Sequence, residues 1–185
     1  MRVMAKYLAF FSLWAATTFG QVETFDLGPR GKLTLYLAGE WKTNFTSMAG
    51  QYSLSLTPKS DNVNATGTIT VTFPDVDRFD TKARLKLRVE ADSYSAAESS
   101  VERKAIAREF AVTTGYGFYC SFTDPELKGK PSLPGHYKVM TIGKIRINPE
   151  VLVDVQFMAD AFRDEAYQQM LGAIEGMEYT PGRGR

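Results

Sequence analysis

The sequence predicts an α+β fold: a single antiparallel sheet of about six to eight strands with two helices packed on it. Three observations carry that expectation. Apolar and polar residues alternate with a period of two through the first third of the chain, as Leu33, Leu35, Leu37; Tyr52, Leu54, Leu56; and Ile69, Val71, Phe73. Near the C-terminus Ala166, Met170, Ala173, Ile174 and Met177 fall on one helical stripe. Between these regions lie a helix-prone stretch and a second run of strand-like text.

The elements follow in order. Phe25 and Leu27 precede Gly28-Pro29-Arg30-Gly31, a short strand and a tight turn that lead into the Leu33 strand. Gly39, Pro58 and Pro74 punctuate the strands that follow. Residues 80–104 fit two templates. Ala83, Leu85, Leu87, Val89 and Ala91 alternate as a strand would, yet the residue types are mostly helix formers and only Val89 is β-branched. Read as a helix, the segment is capped by Asp80 or Thr81 and shows a stripe of Ala83, Leu87, Ala91, Tyr94, Ala97 or Glu98, and Val101. Helix is the preferred reading. Strand candidates then run over 105–112, 116–122, 137–147 and 151–157, the last two joined by an Asn148-Pro149 turn. Gly143 marks a bulge or a close neighbour. Asp164 is a candidate cap for the final helix, and Gly176 and Pro181 end it.

The first twenty residues read as an export leader. Arg2 and Lys6 place positive charge ahead of the apolar run from Tyr7 to Ala16, and Thr18-Phe19-Gly20 supplies small residues at a cleavage site. The run is shorter than the roughly 20 residues a bilayer span needs. The expected organisation is a signal peptide over 1–20, an α+β domain over 21–178 and a flexible tail over 179–185. Without the leader, 20 of the 22 basic residues stand against 21 acidic ones, a net charge of −1. That balance speaks against nucleic acid as a partner, and no second apolar stretch favours stable membrane insertion. Cys120 is the only cysteine, so no internal disulfide forms, and the expected setting is a bacterial periplasm or exterior.

Local wording reinforces the layout. The strand Gly115-Tyr116-Gly117-Phe118-Tyr119, continuing through Ser121 to Asp124, leads to the turn Pro134-Gly135-His136-Tyr137-Lys138, and Gly39-Glu40-Trp41-Lys42 follows an early strand. These segments resemble uncharacterised exported bacterial proteins with a PsbP-like fold, in layout over most of the chain and in wording over 115–147. The resemblance implies a secreted or periplasmic accessory or binding role without catalysis. It implies no cofactor and carries over no functional residue.

Candidate chemistry is sparse. Cys120 and His136 are the only thiol and imidazole, and with Asp124 they form the one nucleophile, base and orienting-acid set available to a thiol-dependent or hydrolytic enzyme. Cys120 shares its strand face with Phe118 and Phe122, which equally describes a buried filler. Asp75, Asp77 and Asp80 lack the spacing of a calcium loop, and a solvated turn explains them. No metal ligand set is assigned. Trp41, Tyr116, Phe118, Tyr119 and Tyr137 are the candidate ligand-binding aromatics, beside the Pro/Gly-rich loop 124–135. The leading expectation is therefore an exported, non-catalytic domain that binds an unidentified protein or small molecule. The alternatives are the thiol or hydrolytic enzyme and a carrier of a small apolar ligand.

Overall fold

The computed structural model describes residues 20–76 and 78–182. The expected leader therefore lies outside the described residues apart from Gly20, as does Asp77. The strands are β1 (Gln21–Asp26), β2 (Gly31–Leu37), β3 (Trp41–Met48), β4 (Gln51–Pro58), β5 (Ala65–Thr72), β6 (Arg108–Glu109), β7 (Tyr116–Thr123), β8 (Val139–Asn148), β9 (Val151–Ala159) and β10 (Glu178–Pro181). The helices are α1 (Lys82–Asp92), α2 (Tyr94–Ser99) and α3 (Glu165–Glu175).

The α+β class and the antiparallel pairing hold, but the described residues form two sheets and three α-helices where one sheet and two helices were expected. Seven strands pair in the order β3-β4-β5-β9-β8-β7-β6, and three more in the order β1-β2-β10. The reason lies between β2 and β3. Gly39, at φ +77°, turns the chain there, and the Trp41 indole N–H donates to Ala38 O at 2.8 Å. This pins the turn, so β3 starts a new sheet instead of extending the β1–β2 hairpin. Residues 179–181, expected within a flexible tail, belong to β10 and pair with β2. Proline 181 closes that short edge strand, a place where a missing N–H is tolerated.

One face of the seven-stranded sheet carries the larger core. Leu54, Leu56, Ile69, Val71, Val153, Val155 and Phe157 point from the sheet toward Leu33, Leu35 and Leu37 of β2 and toward α3. Aromatic contacts stitch the two sheets together: the Phe25 ring lies 5.4 Å from Phe45, Phe45 lies 6.2 Å from Tyr52, and Tyr52 lies 5.9 Å from Phe73. The α3 stripe read from the sequence is the buried one, with Ala166, Met170, Ala173, Ile174 and Met177 all inside. Each large apolar side chain so buried stabilises the fold by about 1.5–3 kcal/mol.

The opposite face is covered only at one end. There α1 and α2 lay Leu85, Val89 and Ala97 on Phe118, Cys120, Phe122 and Leu152. Residues 82–92 are thus helical, and Thr81 caps them by accepting a hydrogen bond from the Arg84 N–H at 3.3 Å. The expected stripe was the wrong one, since Leu87 is 65% exposed and Tyr94 61%. Packing chose Leu85 and Val89, four residues apart, because that face offers two branched side chains, whereas Leu87 has only Ala83 and Ala91 beside it. Lys144 of β8 bridges Asp92 of α1, at 3.2 Å, and Asp154 of β9. It thereby offsets an acid placed unfavourably at a helix C-terminus. Over β3–β5 this face is left uncovered, and Ser55, Thr66, Thr68 and Thr70 alternate outward with the buried residues. That is the physical source of the alternation seen in the sequence.

Two glycines respond oppositely to a methyl group. A Cβ on Gly143 would sit 2.7 Å from the Phe110 ring and 2.8 Å from Phe118 O, so this glycine marks a close neighbour. A Cβ on Gly172, within α3, meets nothing within 4 Å. Gly143→Ala is expected to destabilise the fold by about 1–3 kcal/mol through overpacking, and Gly172→Ala to stabilise it by about 0.5–1 kcal/mol. Urea denaturation midpoints moving in opposite directions are the readout.

Candidate functional site

The structure separates the residues singled out in the sequence. Cys120 is buried beneath α1 at 1% exposure, and burial pushes its thiol upward, countered in part by the nearby Ser93 hydroxyl. A nucleophilic cysteine needs the opposite shift. His136 sits on an exposed turn, where its backbone N–H donates to Leu133 O at 3.0 Å. Asp124 spends its carboxylate on the N–H groups of Glu126, at 2.7 Å, and Leu127, at 3.2 Å. In the strand register Cys120 faces Ile142, well inside β8, whereas His136 precedes that strand. The three are not brought together.

The five aromatics are likewise dispersed. Tyr116 and Phe118 face the α1 side of β7. The Tyr116 hydroxyl donates to Phe79 O at 2.6 Å, and its ring carries the Arg146 guanidinium at 5.6 Å. Tyr119 faces the other side and stacks on Phe110 at 4.5 Å. Trp41 is buried on β3, at the far edge of the sheet. Tyr137 lines a cavity of about 330 Å³ between α2 and the ends of β7 and β8, with Ser100, Phe122 and Met140.

A different surface gathers recognisable chemistry. Two adjoining cavities of about 530 and 740 Å³ run along the solvent side of α3 and share Glu165 and Gln169. In the smaller, Trp41, Val63, Ala159 and Ala166 form apolar walls. In the larger, Val22 and Tyr36 of the small sheet, with Ala38 just after it, face Gly172 and Ala173 of α3 and its C-cap Gly176. Val22 is 56% exposed, and Val63 is 41%. Gly172 and Gly176 leave the helix bare of side chains here, which is what opens the groove.

The rim is of one sign. Glu40, Asp160, Asp164, Glu165 and Glu178 line the two cavities, and no lysine or arginine does. The neighbouring Lys59 lies 3.9 Å from Glu40, an exposed pair of little energetic weight. Local structure positions each acid. Asp164 is the α3 N-cap residue, with a carboxylate that makes no capping hydrogen bond, and Glu165 occupies the first turn, where the helix dipole favours it. Gln169 donates to Glu165 at 2.8 Å and fits against Gly39, where a Cβ would stand 2.9 Å from its Oε1. Asn64 donates to Asp160 at 2.9 Å. It also donates to Leu133 O and His136 O and accepts from the Gly135 N–H, so the loop carrying His136 is tied to the groove. A hydrogen bond to Glu178 raises the Tyr36 hydroxyl, holding it as a neutral donor. Among the described residues no three His, Cys, Asp or Glu side chains group as a metal site.

No family model matches the chain, and no curated protein matches it. Among solved structures it is similar to a Mog1 point mutant, at 15% identity over 85% of this chain and 95% of that one, TM-score 0.48. It is also similar to the Ran-binding protein Mog1p of Saccharomyces cerevisiae, at 16% identity over 85% and 95%, TM-score 0.47. At these values the likeness assigns no residue and no activity. The two structures are Mog1 chains and not PsbP-like exported proteins, which corrects the expected resemblance together with the secreted, periplasmic and signal-peptide expectations attached to it.

Beyond the groove, Glu102 clasps β7 to the end of α2. Its carboxylate takes both the Thr123 N–H and the Thr123 hydroxyl, each at 2.8 Å. Burial would raise this carboxyl, but the two Thr123 bonds outweigh it and hold the group below the ordinary glutamate value. A depressed folded-state value means the contribution is full above the unfolded pKa, about 4.3, and lost as pH falls through the lower folded value. The melting-temperature gap between wild type and Glu102→Gln is therefore expected to be present at pH 6 and to shrink below about pH 4. A gap independent of pH would show that the carboxylate's charge is irrelevant.

Proposed function

We propose that this chain is a non-catalytic docking module that seats a basic, apolar-studded segment of a protein partner in the groove along α3. The observation that carries the reading is the lining itself: five carboxylates and no lysine or arginine line two cavities whose apolar walls include the exposed Val22 and Val63. A rim of one sign steers and selects a partner of the other sign, and the apolar floor supplies affinity once water is displaced. Lysine or arginine side chains alternating with aliphatic ones satisfy both parts. The groove is open along its length, which suits an extended or helical segment better than a compact small molecule. Mog1p is a Ran-binding protein, and a protein partner is likewise the class proposed for this chain.

The test is anisotropy of a labelled short lysine/leucine peptide, with a glutamate/leucine peptide of equal length as control. The basic peptide is expected to bind and to weaken as salt rises, because the rim is exposed. Asp164→Lys with Glu165→Lys is expected to weaken binding by roughly tenfold or more. Gly172→Trp, which fills the open space beside α3, is expected to block it. Equal binding of the acidic peptide, or binding untouched by either variant, would overturn the reading.

A further inference from the structure

The seven-stranded sheet ends on one side in β3, and among the described residues no strand pairs with its outer edge. The hairpin turn shows which groups that edge presents. Ala49 and Gly50 both stand at positive φ, 50° and 80°, and Met48 lies opposite Gln51, so this is a two-residue turn closed by a hydrogen-bonded Met48–Gln51 pair. Alternation then gives the backbone groups of Lys42, Asn44, Thr46 and Met48 to β4. It turns the N–H and C=O of Thr43, Phe45 and Ser47 away from it. The Trp41 N–H, next in that outward series, has the same phase, since it donates to the Gln21 side chain at 3.3 Å.

This edge differs from the other three. β6 has two residues, β10 has four and ends in Pro181, and β1 carries Glu23 and Asp26. Each of those is blunted by shortness, proline or charge. β3 runs for eight residues in unbroken register with β4, contains no proline and bears one charge, Lys42. Met48 at its end is 80% exposed, the most exposed large apolar side chain among the described residues, and Phe45 is only half-buried.

We infer that β3 pairs with β3 of a second copy of this chain, antiparallel about a two-fold axis through Phe45. The free stretch fixes that register. Gln21 closes it at Trp41 and the turn closes it after Met48, so it spans residues 42–48 with Phe45 at the centre. Phe45 then exchanges two hydrogen bonds with its own symmetry mate, and Thr43 does the same with Ser47 of the partner subunit. The side chains match as well. Hydroxyl meets hydroxyl at Thr43 and Ser47, amide meets hydroxyl at Asn44 and Thr46, and ring meets ring at Phe45. Lys42 lies opposite Met48, so the one charge of the strand meets no like charge, and its stem covers the exposed thioether. An unrelated strand would use the backbone groups alone; the match of β3 with its own reverse is what selects a second copy. The groove along α3 reaches β3 only at Trp41, outside the paired stretch, so the inference is independent of the docking reading.

Sedimentation of the wild-type chain tests it. At about 100 μM the mass is expected to be twice that of the monomer and to fall toward it on dilution. Ser47→Pro removes an outward N–H at an exposed edge position, where proline is tolerated. It is expected to give a monomer with an unchanged melting temperature. Asn44→Cys with Thr46→Cys places thiols at facing non-hydrogen-bonded positions. This pair is expected to form a covalent dimer under a mild thiol oxidant, and either cysteine alone to form none. Cys120, at 1% exposure, does not compete. A wild-type monomer at that concentration would overturn the inference, as would a dimer that Ser47→Pro leaves intact or one that the paired cysteines fail to crosslink. The crosslink decides the matter if Ser47→Pro does not fold.

Discussion

The buried stripe of α3 is the constraint on which the rest of this face depends. Ala166, Met170, Ala173, Ile174 and Met177 sit in the core shared by both sheets, so the helix can neither rotate nor slide without exposing them. Met170 sits where this matters most, since its sulfur lies 3.0 Å from where a Cβ on Gly67 of β5 would be. With the inward face fixed, the outward face is fixed too. Glu165, Gln169, Gly172 and Gly176 must then line the groove, while Tyr167 and Leu171 must turn toward β7 and a cleft of about 220 Å³ on the helix's other flank. One helix thus sets the position of two unlike surfaces.

Smaller ties determine how rigid those surfaces are. Trp41 holds the β2–β3 turn by its indole bond, and Gln169 lies against Gly39 in the same turn. Asn64 binds the 133–136 loop and Asp160 at once, so that loop and one end of the groove move together. Lys144 holds the α1–α2 junction through Asp92, and Glu102 holds the segment just after α2 through Thr123. These are polar contacts of modest individual value. Their effect is to place loops against a framework already set by apolar burial.

How much was legible follows from the range of each interaction. The strands around Leu35, Leu54, Ile69, Cys120 and Val153 declare themselves locally, because one buried face imposes a period of two on neighbouring residues. The α3 stripe does so for a period near 3.6. The register of α1 does not, since Leu85 and Leu87 are equivalent in sequence and only the aromatic row on β7 chooses between them. The three-stranded sheet was invisible for a similar reason: β10 meets β2 across almost the whole chain. The groove was the least legible feature. Of its carboxylates only Asp164 and Glu165 are adjacent in sequence, and Glu40, Asp160 and Glu178 join them through folding. The one local hint was a helix with a glycine at outward position 172 and another at its C-cap, 176. The aromatics of β7 gave the reverse lesson, because their density reflected two cores meeting on opposite sides of one strand.

Residue-resolved amide shifts during titration with the lysine/leucine peptide address the central claim most directly, that the outward side of α3 is the face this chain presents to a partner. Shifts should concentrate on residues 164–176, on β1 and on the Ala38–Trp41 turn, and leave α1 and the outer face of β3–β5 unmoved. Shifts centred on α1, or spread evenly over the surface, would contradict it.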